Sequence, residues 1–563
     1  MNAAATPWDY LDKYRGKVFT GLWPTLPEAF EITVSRYGDR PCFTIFEPDR
    51  ISLSYREAFK IIQAAAQWLH SKGIRKGDTV ALTGKNSPEW AAAYIAIHFA
   101  GAVVVPIDHQ YKFEETQLLI KTAKARILFV DEEKHDRFLK EKGELQEVVS
   151  LKKGVGTYIY DLSGPEAEIE LPKETDLAAI LFTSGTTGNP KGVMLTHANL
   201  LSDNYLAQSY IELSERDVFY ALLPIHHAYS MTVFIVVMAI GAELVFGKRM
   251  VTKSILKDLK DGQVTLFLGV PMLFNKLLAG IIRGLKEKGP VVYGLISAMM
   301  AVSGFIKKTF KVNPGKRMFR FILEKASLSS VKTCICGGGP LAASVFRKFN
   351  QLGINFIQGY GLTETSPIIN LNPVDHYKET SVGKVIPQVD MKILNPNEQG
   401  IGEIIVKGPV VMKGYYGMPE ETAAVFTEDG YLKTGDLGYL DNENYLYLTG
   451  RAKNMIVTEG GKNVYPEEIE NEFQLFEEID QILVRGFVVD KKLKTEGIEA
   501  LVYPSPDFFK PGDTPREKIK TRIEAIIAEV NQRLLPYQRI TKTTLLEGPM
   551  EMTTTKKIKR ETV

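Results

Sequence analysis

Short apolar runs alternate with apolar stripes at helical spacing through the first third of the chain. Helical periodicity covers Tyr55 to Ser71, followed by a strand pattern at Thr79 to Thr83, a helix at Ser87 to Phe99, a strand at Val103 to Pro106, a helix at Phe113 to Ala123 and a strand at Ala125 to Val130. Such alternation predicts parallel sheets covered on both faces by helices. It resumes from Leu177 to about Gly361. From Gly383 to Gly450 the texture changes to short strands with turns, at Met391 to Leu394, Gly402 to Lys407, Tyr431 to Lys433 and Tyr445 to Thr449, which predicts a small antiparallel barrel or distorted sheet. Beyond Val464, a helix at Pro466 to Phe476, strands at Ile479 to Val489 and Ile498 to Tyr503 and a helix at Pro515 to Arg533 form a compact α+β unit. The predicted fold is therefore α/β: a large N-terminal domain (1–450) of two βαβ-type sheets plus a small β-barrel, then a small α+β domain (454–563). The boundary falls at Gly450-Arg451-Ala452-Lys453-Asn454, where a strand stops at glycine and charges follow.

Two longer apolar stretches test for a membrane. Met231 to Phe246 is short and holds Gly241 and Glu243, so a buried helix-to-strand passage is expected there. Gly289 to Ile306 is uncharged and borders on a span. The next segment, Lys307 to Lys325, carries seven Lys/Arg and one Glu among Phe310, Val312, Met318, Phe319, Phe321, Ile322 and Leu323. Residues 290–325 thus read either as packed helices with a solvated face or as a peripheral contact with an anionic bilayer.

Composition narrows the class. With 563 residues, 45% hydrophobic and 24% charged, several domains with sizeable cores are expected. Sixty-nine basic against sixty-seven acidic side chains leave no global field for nucleic acid, so no nucleic-acid partner is expected. Only Cys42, Cys334 and Cys336 are present, which excludes a disulfide framework and suits a reducing compartment; Cys334 and Cys336 lack zinc spacing. Met1 to Pro24 has no apolar core of a secretory signal. The expected location is the cytoplasm, peripheral on the inner membrane face if 290–325 binds lipid. No pattern specifies an oligomer.

The densest chemistry lies at Thr183-Ser184-Gly185-Thr186-Thr187-Gly188-Asn189-Pro190-Lys191-Gly192, straight after the apolar run Leu177 to Phe182. Glycines let backbone approach a polyanion, hydroxyls and N–H groups donate to its oxygens, and Lys191 offsets its charge. The spacing is not the Walker pattern. A plain surface turn would use similar residues. Gln358-Gly359-Tyr360-Gly361-Leu362-Thr363-Glu364-Thr365 follows another apolar run, at the strand end where open α/β sheets bind ligands. There Tyr360 suits a base, Thr363 a phosphate and Glu364 a divalent cation. Gly337, Gly338 and Gly339 follow the strand Val331 to Ile335, leaving room for a flat ligand or making a tight turn. Asp436, in Thr434-Gly435-Asp436, is placed at a turn where a carboxylate accepts both ribose hydroxyls, or where an Asx-turn forms; Arg451 completes such a site or ends a strand in solvent.

In order along nearly the whole chain, Thr183 to Gly192, Leu223-Pro224-Ile225-His226-His227, Cys336 to Leu341, Tyr360 to Glu364, Thr434 to Asp436, Gly450 to Lys453, Gly460 to Glu470 and a lysine near the end resemble the adenylate-forming superfamily of acyl-CoA synthetases, peptide-synthetase adenylation domains and luciferases. The resemblance implies two steps: a carboxylate attacks the α-phosphate of ATP to give acyl-AMP and pyrophosphate, and a thiol then captures the acyl group. It implies ATP, Mg²⁺ and coenzyme A. Thr183 to Gly192 would hold the β- and γ-phosphates, Mg²⁺ would lie near Glu364 and Thr187, and Thr363 would meet the α-phosphate. Tyr360, Gly361 and the Gly337 to Gly339 strip would flank adenine, and Asp436 with Arg451 would bind ribose. Lys557 is implied as the adenylation lysine, although Lys556 replaces the glycine usual before it, so that Lys556 is a rival and a solvated basic tail the plain alternative. Lys453 matches the hinge about which the small domain turns as a lid, and Gly460-Gly461 the loop on the CoA side.

Peptide-synthetase adenylation domains place an aspartate shortly after the region matching Pro224 to His227; Ala228-Tyr229-Ser230 supplies no acid, so an amino-acid substrate is not expected. Ala228 to Leu273 is rich in apolar residues, suiting an alkyl chain, and His227 either gates the carboxylate pocket or packs beneath it. The Pro290 to Lys325 insertion and Met552 to Thr555 are similar to bacterial long-chain fatty acid–CoA ligases. The expected substrate is a medium- to long-chain fatty acid; an aryl-acid–CoA ligase or an acyl–acyl-carrier-protein synthetase is the alternative. A non-catalytic nucleotide scaffold is disfavoured by intact Lys191, Glu364, Asp436 and Lys557, and nothing specifies a luciferase-like oxidase.

Overall fold

The structure, a computed structural model, describes residues 6–183, 190–248, 251–458, 462–490, 495–510, 514–553 and 558–560. Its elements start where local chemistry dictates. The helix Tyr55–Ser71 is capped by Ser54, whose hydroxyl accepts from Glu57 N while the Glu57 side chain accepts from Ser54 N. Pro88–Phe99 begins behind Ser87 with proline in its first turn.

Two large sheets carry the body. The first runs Lys384–Val385, Ile368–Leu371, Asn355–Gly361, Thr333–Cys336, Leu266–Gly269, Val218–Ala221, Glu243–Phe246, Pro41–Ile45, Ile51–Ser54, and its six central strands are parallel. The second runs Gly414–Tyr415, Lys191–Thr196, Leu177–Thr183, Val103–Ile107, Thr79–Thr83, Ile127–Val130, Glu147–Ser150, and only Lys191–Thr196 runs against the others, antiparallel to both its neighbours. Trp90, Tyr94, Phe234 and Phe43 are among the fully buried side chains of the main core. Ala228–Ile240 passes through Gly241 into the strand Glu243–Phe246, the buried passage expected there.

The strands Asp390–Leu394, Gly402–Lys407, Leu432–Leu440 and Leu446–Arg451 form an antiparallel sheet bulged at Glu403/Ile405 and Leu437/Gly438, the distorted sheet expected in this region. Thr434-Gly435-Asp436 lies inside one of these strands, at its bulge, where Gly435 makes a local turn within the strand. Near the end, Ile479–Asp490, Thr495–Pro504 and Lys542–Leu545 form a further, three-stranded sheet against Arg516–Arg533, around a separate apolar core that includes Val484, Val502, Ile526 and Val530. The strand Lys542–Leu545, which pairs parallel to Thr495–Pro504, is absent from the sequence-based expectation. The helix at Pro466 stops at Asn471 instead of reaching Phe476.

Pro290–Phe310 is a single helix seated through Ile296, Met300, Ser303 and Lys307. Of the cations expected to face lipid, Lys307 is turned inward: its Nζ donates to Asn350 Oδ1 (2.7 Å), Asn355 Oδ1 (2.8 Å) and Ile354 O (3.3 Å). Lys316 likewise donates to Val331 O at 2.8 Å. The basic segment is therefore not one continuous cationic face.

Candidate active site

The parallel strands Leu266–Gly269, Thr333–Cys336 and Asn355–Gly361 end at one cleft, as sheet topology requires. Its volume of about 2260 Å³ exceeds the roughly 300–1,000 Å³ of a site for one drug-sized ligand, so several reactants fit side by side.

At one end stands Asp436. Gly435, at φ +71°, takes the left-handed turn of the bulged strand that presents Asp436 to the cleft. Tyr360 OH donates to Asp436 Oδ2 at 2.7 Å, and Arg451 Nε, on the neighbouring strand in register, lies 2.9 Å from Oδ1. Burial, then the adjoining Asp436 carboxylate, hold the Tyr360 hydroxyl protonated far above neutral pH, so it remains a donor. Both carboxylate oxygens are thus oriented, and each keeps a lone pair for a vicinal diol.

The Gly337–Gly339 strip floors the next stretch. A Cβ at Gly337 would lie 2.9 Å from the ring of Tyr229, so only glycine permits this approach. The Tyr229 hydroxyl sits 3.1 Å from Ile335 O and 3.2 Å from Gly269 O, donating to one at a time, which pins the ring beneath the strip.

Further along, Thr183 and Lys191 are paired across adjacent strands. Lys191 Nζ lies 4.9 Å above the ring of Tyr415, and Tyr415 OH donates to Glu364 Oε1 at 3.0 Å. Burial, then the Glu364 carboxylate, raise the Tyr415 pKa, so this hydroxyl too is a fixed donor. Thr363 opens the short turn that carries Glu364 and lines the cleft. Glu364 thus has one oxygen, Oε1, engaged by Tyr415, whose ring also carries Lys191. Ser184, Gly185, Thr186, Thr187 and Gly188 lie outside the described residues.

The cleft lining near His227 includes an apolar set. It comprises Val233, Val236, Leu266, Leu268, Phe219 and Leu371, from several of the elements expected to form an acyl wall. His227 itself stands at the N-terminal end of Ala228–Ile240, its carbonyl accepting from Met231 N at 2.9 Å.

The C-terminal portion closes the cleft from the other side. Gln474 reaches across with both amide atoms: Oε1 accepts from Ala342 N (2.9 Å) and Nε2 donates to Pro340 O (2.9 Å). Lys453 lies in the turn Ala452–Asn454 and lines the cleft, as do Met552, Thr553 and Ile558. Lys556, Lys557, Gly460 and Gly461 lie outside the described residues. Arg560 ties the tail down by contacting Glu470 (2.6 Å) and Val484 O (3.0 Å). Burial pushes the Glu470 pKa up to about 7 against the opposing pull of Arg560.

The structure thus brings together Thr183, Lys191, Gly337, Gly338, Gly339, Tyr360, Gly361, Thr363, Glu364, Asp436, Arg451, His227 and Lys453 around one cavity. Sequence reasoning missed Tyr415, Tyr229 and Gln474. Gly414-Tyr415-Tyr416-Gly417, before the helix at Pro419, was the available signal for the first; the other two carry no local signature.

Comparison with known proteins agrees with this geometry. A family model described as AMP-binding enzyme matches residues 30–416. A long-chain-fatty-acid–CoA ligase of Bacillus subtilis is 28% identical over 561 residues, covering 91% of this chain and 90% of its own. A feruloyl-CoA synthase from an Amycolatopsis species is also 28% identical, over 89% and 92% of the two chains. The crystal structure of ATP-bound MatB from Rhodopseudomonas palustris superposes with a TM-score of 0.75 at 26% identity, covering 96% of this chain and 98% of that one. The family match spans the strands Leu177–Thr183, Thr333–Cys336 and Asn355–Gly361 and stops before Asp436 and Arg451; covering more than half of the sequence, it shows that the chain belongs to the AMP-binding enzyme family.

Proposed function

We propose that the protein is an AMP-forming acid–thiol ligase that activates a medium- to long-chain fatty acid and transfers the acyl group to coenzyme A. The observation that carries this reading is that apolar side chains from Phe219, Val233, Val236, Leu266, Leu268 and Leu371 line the same cleft as His227, Glu364 and Asp436. A fatty acid seated there directs its carboxylate toward the α-phosphate of ATP.

In the first step a carboxylate oxygen bonds to the α-phosphorus as the bond to pyrophosphate breaks. In the second a thiolate sulfur bonds to the acyl carbon, and AMP leaves. Asp436, oriented by Tyr360 and Arg451, holds the ribose. Tyr360 and the glycine strip flank adenine. Thr183 to Gly192 cradle the terminal phosphates with Lys191, and Thr363 meets the α-phosphate. Glu364 with Thr187 would hold Mg²⁺, which neutralises phosphate charge when bound; a carboxylate oxygen beside hydroxyl donors is the ligand set this hard cation takes. Lys557 supplies the ammonium that bridges the two anions, and its neighbours Thr553 and Ile558 lining the cleft support that role. Residues 1–450 act as the body, 451–453 with Lys453 as hinge and 454–563 as lid, bringing the Gly460-Gly461 loop up for the thiol. Two hydrogen bonds from Gln474 are a light latch for such a turn.

The exposed apolar side chains of Pro290–Phe310 support peripheral contact with an anionic membrane from the cytoplasmic side, where a poorly soluble acid would be collected. Among the described residues this is the one helix long and apolar enough to cross a membrane. Its seat through buried Lys307 favours lying on the surface.

The feruloyl-CoA synthase relative supports an aryl acid as the second reading. A panel of fatty and aryl acids assayed for AMP release with Mg-ATP and CoA decides between them; turnover of aryl acids with a flat response to fatty acids overturns the substrate. Lys557→Ala should lower acid-dependent pyrophosphate exchange by about 10²-fold or more while sparing capture of preformed acyl-AMP by CoA. Undiminished exchange would remove Lys557 from the first step.

A further inference from the structure

The cleft wall holds a second cluster that acid activation does not use. Asp108 and His109 follow the strand Val103–Ile107, and His226 sits in the turn before Ala228–Ile240. We propose that Asp108, His109 and His226 form a binding site for one divalent transition-metal ion of the zinc type, distinct from the magnesium place at Glu364.

Geometry comes first. One donor atom from each residue lies within 4.8 Å of the other two. His226 Nε2 is 3.5 Å from Asp108 Oδ2, and His109 Nδ1 is 3.8 Å from Asp108 Oδ1. Ligands at zinc-bond lengths in a tetrahedron stand about 3.3–3.4 Å apart, so the Asp108–His226 edge is already close to that spacing. His109, on a half-buried loop position, needs only a small swing to close the third corner.

Two ring nitrogens point to a missing partner. His226 Nε2 and His109 Nδ1 are both buried and make no hydrogen bond among the described residues. The His226 side chain is only 5% exposed, which makes an unsatisfied nitrogen costly there unless something binds it. The surroundings hold the ligands in place: Gln110 N donates to Asp108 Oδ1 at 2.8 Å, and Lys134 Nζ donates to His109 O at 2.7 Å. Lys85, the other nearby cation, is paired with Glu133.

Ligand chemistry selects the ion. Two imidazoles and a carboxylate suit zinc, cobalt or nickel, whereas magnesium and calcium take oxygen. Three protein ligands leave a fourth position. Asp108 and His226 line the cleft, so that position faces it, within reach of a carboxylate or phosphate oxygen. The inference is independent of which acid the cleft accepts.

The test uses the full-length protein stripped with chelator and titrated with Co²⁺, then with Zn²⁺ by calorimetry, without ATP. One equivalent of Co²⁺ should bind with the visible bands of a four-coordinate nitrogen and oxygen site and without a sulfur charge-transfer band. His226→Asn and His109→Asn should each weaken Zn²⁺ binding by about 10–100-fold, while Glu364→Gln leaves it unchanged. Far-UV circular dichroism and the unfolding midpoint check each variant; should His226→Asn fail to fold, His109→Asn, at the less buried position, decides. Absence of stoichiometric Co²⁺ in the wild type, a sulfur band, or unchanged Zn²⁺ affinity in the folded variants overturns the proposal.

Discussion

Two apolar helices meet opposite fates. Ala228–Ile240 buries twelve of its thirteen residues, whereas Pro290–Phe310 buries four of twenty-one. The first is gripped because it packs against the helices Leu26–Tyr37 and His197–Ala207 and the strand Val218–Ala221, and feeds directly into the strand Glu243–Phe246. The second touches the body along one line, Ile296, Met300, Ser303 and Lys307, at three- and four-residue spacing, and leaves Val291 (82% exposed), Leu295 (63%) and Phe305 (64%) facing outward. Hydropathy sets how much a helix gains by leaving water; chain connectivity sets whether protein supplies the cover.

Three changes would break or sharpen that contrast. Phe234, fully buried against Phe43, Trp90 and Tyr94, should lose most: Phe234→Ala is expected to cost about 3–5 kcal/mol in denaturant unfolding. A cost below 1 kcal/mol would mean that the inner helix is as loosely held as the outer one. Leu295→Asp with Phe305→Asp should leave unfolding within about 0.5 kcal/mol of wild type. The same pair should weaken binding to anionic vesicles by about 3 kcal/mol, roughly a hundredfold, in a flotation assay. Unaltered vesicle binding would remove this face from the membrane contact.

The smallest effect tests the seat of the outer helix. Burial pushes the Lys307 pKa down to about 7, opposed by the negative charge of Asp375. Between that value and the roughly 10.4 of a free lysine, the unfolded chain binds the extra proton. Stability from this site is therefore lowest below pH 7 and rises with pH through that window. Wild type minus Lys307→Met should show a slope of about 1 kcal/mol per pH unit there, measured by urea unfolding at fixed salt. A flat difference would show that Asp375 and the acceptors around Nζ together offset burial and keep Lys307 charged.

Much of this architecture was legible in advance because its signals are local. Ser54 with Glu57, and Ser87 with Pro88, mark helix starts through caps that need no tertiary partner. Thr79–Thr83 and Gly402–Lys407 coincide with their apolar patterns. What was missed depends on distant residues. Lys542–Leu545 has no apolar run and becomes a strand only because Thr495–Pro504 offers an edge. Phe473 and Phe476 extend a helical pattern past Asn471, yet the chain folds back in turns there. In the site, Glu364, Asp436 and the glycines announced themselves within their own motifs. Tyr415 did not, since its bond to Glu364 crosses 51 positions. Nor could charge counting show that Lys307 and Lys316 point inward.

Tyr229 belongs to the same helix as Val233 and Val236 of the proposed acyl lining, yet its ring lies against Gly337 in the strip proposed to flank adenine. On that reading, pocket redesign for shorter or bulkier acids cannot be modular: repacking that shifts this aromatic also tilts the glycine strip, so specificity and ATP affinity should drift together in directed evolution.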